Sequence, residues 1–74
     1  MNLTDEEVTL AKLMAEHSMN VTEVARQMYV HRNTLIYRIE KIKKKTGLDI
    51  RKFYDLYEVL LAISWDEAVN KKGG

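Results

Sequence analysis

Five side chains within seven residues could grip nucleic-acid bases or phosphates: Arg32, Asn33, Thr34, Tyr37 and Arg38. A guanidinium binds a guanine edge or a phosphate through two N–H groups. A carboxamide pairs with adenine through both of its polar atoms, and a threonine meets a phosphate or a thymine methyl. Lys41, Lys44 and Lys45 follow, with the charge to neutralise a phosphate backbone. Upstream, Thr22 and Gln27 could add phosphate contacts. This chemistry is binding, not reaction. His17 and His31 lie far apart with no carboxylate at metal-ligand spacing, and the chain has no cysteine. No serine sits in a triad motif, and no glycine loop could cradle a nucleotide. The sequence therefore predicts neither an enzyme nor a protein with a metal or cofactor.

The charge is placed to suit that chemistry. Twelve basic and eleven acidic residues give a net charge of only +1. From Met1 to Asn20, Asp5, Glu6, Glu7 and Glu16 oppose Lys12 alone, a balance of −3. From His31 to Lys45, six bases oppose Glu40, a balance of +5. From Thr46 to Asn70 the balance is again −3. The near-neutral total hides one basic segment between two acidic ones. Two readings of that segment compete: a solvated helix face, or an electrostatic footprint for phosphate.

The elements that must position these residues are helices. There is no proline, and glycine occurs only at Gly47, Gly73 and Gly74. A chain so poor in breakers, with 46% apolar residues, is expected to be all-α and compact. At 74 residues it is one small domain, of a size that buries only about 60% of its unfolded surface. No apolar run approaches the roughly 18 residues of a membrane span. The N-terminus has no basic start or apolar core, so no secretory signal is expected, and the chain is expected to be cytoplasmic. Lys71-Lys72-Gly73-Gly74 reads as a frayed or trimmed end.

Four helices follow from the pattern. Thr4-Asp5-Glu6-Glu7 has the form of a capping box opening the first, with Val8, Leu10, Ala11, Leu13 and Met14 as its apolar stripe. His17 to Asn20 form its exit, with His17 complementing the helix dipole and Asn20 suited to a left-handed conformation. A short second helix spans about 22–28, with Thr22 as its N-cap. The third begins near His31 and ends before Gly47, which suits a left-handed C-terminal position. Leu35, Ile39 and Ile42 form its core seam, leaving Asn33, Tyr37, Lys41 and Lys44 outward and Arg32 and Arg38 at the margins. Asp49 is expected to cap a fourth helix running to about Asn70. There Phe53, Leu56, Tyr57, Leu60 and Ile63 share one centre. Tyr54, Leu61, Trp65 and Ala68 form a shoulder beyond the stripe an ordinary helix needs. That shoulder either buries against the first helix or forms a homodimer interface.

Val24-Ala25-Arg26-Gln27-Met28-Tyr29-Val30-His31-Arg32-Asn33-Thr34-Leu35 has helix-turn-helix grammar, with a small Ala25 at the crossing and apolar Val24, Met28, Val30 and Leu35 at the corner. The strings Val30-His31-Arg32-Asn33-Thr34-Leu35, Tyr37-Arg38-Ile39 and Thr46-Gly47-Leu48-Asp49 closely resemble the C-terminal domain of PucR/CdaR-type transcriptional regulators. The resemblance runs from about Leu10 to Ile63. It implies a Fis-like helix-turn-helix, with its core at about 22–46, that binds double-stranded DNA at the end of a longer regulator. An effector domain, if there is one, lies outside this chain. Arg32, Asn33 and Thr34 then form the leading edge of the recognition helix, with Tyr37, Arg38 and Lys41 along it. The aromatic Tyr29, where generic motifs often have glycine, fits the family. Alternatives remain at single residues: an ion pair to a neighbouring helix for Arg38, local capping for Asn33 or Thr34, and packing for Tyr37. His31 is read as structural. The rival function is a helical module docking an acidic protein partner.

Overall fold

The computed structural model describes residues 2–73, with side chains as far as residue 70. Four helices account for the fold: α1 (Asp5–Glu16), α2 (Val21–Gln27), α3 (Arg32–Thr46) and α4 (Phe53–Gly73). The end expected to fray is helical in its backbone as far as Gly73; Gly74 and the side chains of 71–73 lie outside the described residues.

α1 opens as the sequence predicts. The Glu7 amide donates to Thr4 Oγ1 at 3.1 Å, and the Thr4 amide donates to Glu7 Oε1 at 2.8 Å. Two otherwise unpaired donors are thus satisfied at once. Leu10, Ala11 and Met14 are fully buried, while Val8 and Leu13 pack at the margin. The exit differs from expectation. Ser18 and Met19, not Asn20, adopt positive φ, and the Met19 amide reaches back to the Met14 carbonyl at 2.6 Å.

Asn20 is instead the N-cap of α2, its Oδ1 accepting from the Glu23 amide at 3.0 Å. Thr22, the expected cap, lies inside the helix. An asparagine two residues earlier supplies an equally good acceptor, and the tight exit of α1 delivers it to the right place. α2 ends at Gln27, and Tyr29 turns the chain with φ of 57°. Positive φ in a bulky residue is strained, by roughly 1–2 kcal/mol. The turn is closed by the Val30 amide donating to the Ala25 carbonyl at 3.0 Å.

α3 presents one face to the core. Leu35, Ile39 and Ile42 are all 0% exposed. The helix ends at Gly47, whose φ of 78° is left-handed and whose amide donates to the Lys43 carbonyl at 2.7 Å. A Cβ there would meet no neighbouring atom, so backbone conformation, not space, selects glycine.

Asp49 does not cap α4. Its Oδ1 accepts from the Arg51 amide, its own amide donates to Asp55 Oδ2, and residues 50–52 form a turn before the helix begins at Phe53. That turn drives Ile50 into the core, where it is fully buried. A helix starting at residue 50 would give up this burial.

The core gathers side chains from all four helices and Ile50. α2 packs on α3, and α1 packs on both α2 and α4. On α4 the buried seam is Leu56, Val59 and Ile63, with Leu60 half-buried. Phe53 and Tyr57, expected to share that seam, are mostly exposed. The shoulder does not bury against α1 either: Tyr54 is 83%, Leu61 54% and Trp65 72% exposed, and Ala68 is also exposed.

Candidate nucleic-acid interface

The start of α3 is organised by His31. It is the N-cap, and its Nδ1 accepts from the Asn33 amide at 3.1 Å. That is a structural role, and it leaves the Asn33 and Thr34 side chains free of capping duty. Arg32, Asn33 and Thr34 are all exposed at this helix start, where backbone amides and the helix dipole favour an anion. Tyr37 is 69% exposed, so it does not pack into the core. Lys41 and Lys44 continue the row one and two turns further on, both exposed. Among the described residues, no carboxylate pairs with Arg32, Lys41 or Lys44. Fixed positive charge on an unpaired, exposed helix face is what a phosphate backbone needs.

Two predicted contacts are engaged elsewhere. Arg38 Nη1 lies 2.8 Å from Glu6 Oε1 of α1, the ion-pair alternative. The pair edges a cleft of about 280 Å³ that also includes Thr34, Tyr37 and Lys41. Lys45 departs further from its predicted role. Its Nζ lies 2.6 Å from Glu7 Oε1, joining the end of α3 to the capping box of α1. Lys45 stands three residues on from the buried Ile42, on the side of α3 that faces the start of α1. On α2, Thr22 is exposed, while Gln27 donates to Glu23 Oε1 at 3.1 Å, beside Arg26 on the same carboxylate at 2.8 Å.

Three features were not foreseen. Glu40, the lone acid of the basic segment, is met by Arg51 Nη2 at 3.0 Å, so a base from outside the segment offsets it. Lys43 is exposed and also lacks a carboxylate partner among the described residues. Tyr29 stands 95% exposed in the turn that leads into α3. The lysine run signalled Lys43 and the helix-turn-helix grammar placed Tyr29 in the turn; nothing in the sequence paired Glu40 with Arg51.

The acids that brace α3 are tuned by their partners. Burial alone pushes the Glu7 carboxyl up, but the Lys45 ammonium and the Thr4 amide together outweigh it and hold it below the ordinary range. The Arg51 guanidinium holds Asp49 low against the opposing effect of burial, with the Arg51 amide adding to it. Both groups therefore stabilise the fold fully above their ordinary values of 4.5 and 3.8, and the contribution is lost as pH falls through the lowered folded values. The urea midpoint is expected to fall as pH drops below about 4. Glu7→Gln is expected to lower the neutral-pH midpoint and flatten that acid limb; an unchanged limb would count against Glu7 as a contributor.

Comparison with known proteins places this geometry. Residues 8–65 match the family described as the PucR C-terminal helix-turn-helix domain. The carbohydrate diacid regulator of Escherichia coli (strain K12) is 35% identical over 51 residues, 69% of this chain and 13% of that protein. The purine catabolism regulatory protein of Bacillus subtilis (strain 168) is 40% identical over 43 residues, 58% of this chain and 8% of that protein. An uncharacterized Bacillus subtilis protein, YxkF, is 43% identical over 42 residues, 57% of this chain and 14% of its own length. The chain thus spans a small fraction of the length of these relatives. No solved structure matches it.

Proposed function

The chain belongs to the PucR C-terminal helix-turn-helix family, whose members bind DNA in transcription regulation, and from that membership we propose how it reads its operator. Residues 1–74 act as one domain, with the helix-turn-helix at about 22–46. α3 enters the major groove with Arg32, Asn33 and Thr34 leading, and Tyr37 following along the groove. Lys41 and Lys44 neutralise the flanking phosphates. Thr22 and Gln27 lie on the helix that crosses the backbone in this motif, and the second amide proton of Gln27 serves that contact. Arg38 reaches phosphate by exchanging Glu6 for the backbone. Lys45 is left out of the interface, because Glu7 holds it.

The single observation that carries this reading is the unpaired, exposed row on α3. It lies on the second helix of the helix-turn-helix, inside the residues 8–65 that match the family, with backbone amides at its leading end. Two domains on half-sites one turn apart would pair as a homodimer through α4. No catalytic step belongs to this function. No helix among the described residues is long and apolar enough to cross a membrane, and we place the protein in the cytoplasm with its DNA.

Competition binding tests the proposal. A duplex bound by the domain should resist displacement by a scrambled duplex of equal length and composition. Equal displacement by both would instead favour a basic module that docks acidic partners.

A further inference from the structure

The outer face of α4 carries a repeat with its own symmetry. The large apolar residues exposed on this helix among the described side chains are Phe53, Tyr54, Tyr57, Leu61, Trp65 and Val69. They lie away from the buried seam of Leu56, Val59 and Ile63 on a helix of 21 residues. With the exposed Ala68 included, their spacing reads the same in both directions from Leu61. Four residues separate Leu61 from Tyr57 on one side and from Trp65 on the other. Three more lead to Tyr54 and Ala68, and one more to Phe53 and Val69.

We propose that two copies of this chain pair through α4, antiparallel, with the two-fold axis at Leu61. This register rests on the homodimer reading above and specifies it. A two-fold interface must be self-complementary, which a palindromic stripe satisfies and an irregular one does not. In this register Leu61 meets the partner's Leu61. Tyr57 lies beside the partner's Trp65, an aromatic pair, and Tyr54 covers the partner's Ala68, large on small. Glu58, at the edge of the stripe, comes opposite the partner's Ser64, so acid does not face acid. A parallel pairing would stack Tyr54 on Tyr54 and leave Ala68 against Ala68. Antiparallel helix dipoles also attract, where parallel ones repel. The stripe exposes on the order of 600 Å² per copy, given the ~150–250 Å² an aromatic side chain buries. A standard interface uses roughly 800 Å² per partner, so the stripe supplies most of the area that a specific pairing needs.

Because the chain has no cysteine, single-cysteine variants report the register directly. Leu61→Cys should form a disulfide-linked dimer on mild oxidation, since facing Cα atoms then come within the ~4.4–6.8 Å a disulfide needs. Tyr54→Cys and Ala68→Cys should each cross-link poorly alone and severalfold better when mixed. In sedimentation equilibrium the unmodified chain should dimerise by about 100 µM, and Leu61→Glu should weaken that at least tenfold. A monomer at that concentration would overturn the pairing. A dimer in which Tyr54→Cys cross-links to itself, or in which Leu61→Cys does not, would overturn the register. All of these readouts are made without DNA, and a single half-site duplex measures recognition separately, so the two failures are distinguishable.

Discussion

Arg32→Ala and Asn33→Ala are each expected to remove most of the preference for one duplex over its scrambled competitor while leaving the fold intact. Both residues are exposed at the open end of α3, and neither side chain supports the core or a neighbouring ion pair. His31, not Asn33, caps the helix, so shortening Asn33 costs no cap. A two-pronged base contact is worth about 1–3 kcal/mol of discrimination, or roughly 5- to 150-fold in relative affinity. Lys44→Ala should behave differently. It should weaken binding to both duplexes alike and reduce the slope of log affinity against log salt by about one. The same competition assay at two salt concentrations separates these outcomes. Preference unchanged by Arg32→Ala and Asn33→Ala would remove them from direct readout.

Ile39→Ala is expected to lower the thermal midpoint by roughly 8–40 °C, converting a 2–5 kcal/mol loss at about 4–8 °C per kcal/mol for a domain of this size. Ile39 is fully buried in the α3 seam, and truncation removes both its transfer energy and the atoms that fill its space. A domain of 74 residues has little in reserve, with a total stability of roughly 4–11 kcal/mol. Tyr37→Ala, two residues away on the outer face, should change stability by less than about 0.5 kcal/mol and act on DNA binding instead. Helicity followed by circular dichroism during heating tests both. Equal shifts for the two variants would contradict the division of α3 into a core face and a reading face.

The parts of this fold legible in the sequence are those fixed by local chemistry. The capping box of Thr4 and Glu7, the left-handed Gly47 and the spacing of Leu35, Ile39 and Ile42 each depend on residues within a turn or two of one another. Ambiguity entered where two local solutions compete. Asn20 could end α1 or begin α2, and the path of the exit turn decides it. Asp49 has the chemistry of a cap, yet the burial of Ile50 turns it into the corner of a loop. α4 has apolar residues on both faces, so periodicity alone cannot say which face is inner. The structure gives the core Leu56, Val59 and Ile63 and leaves Phe53 and Tyr57 outside.

At the interface, residue type and exposure were readable, but long-range partners were not. The basic block located Arg38 and Lys45. Only the tertiary fold, which brings the first turn of α1 beside α3, draws Arg38 to Glu6 and Lys45 to Glu7. Arg51 reaches Glu40 across a separation of eleven residues, through a turn that the sequence read as helix.

Selection of bound duplexes from a random pool asks whether the outer row of α3 reads base sequence. Enrichment of a short motif is predicted, with Asn33→Ala relaxing the requirement at one position of that motif. Recovery of a pool with no enriched motif would mean that the exposed positive charge of α3 holds DNA without reading it, and that Arg32 and Asn33 make no base contact.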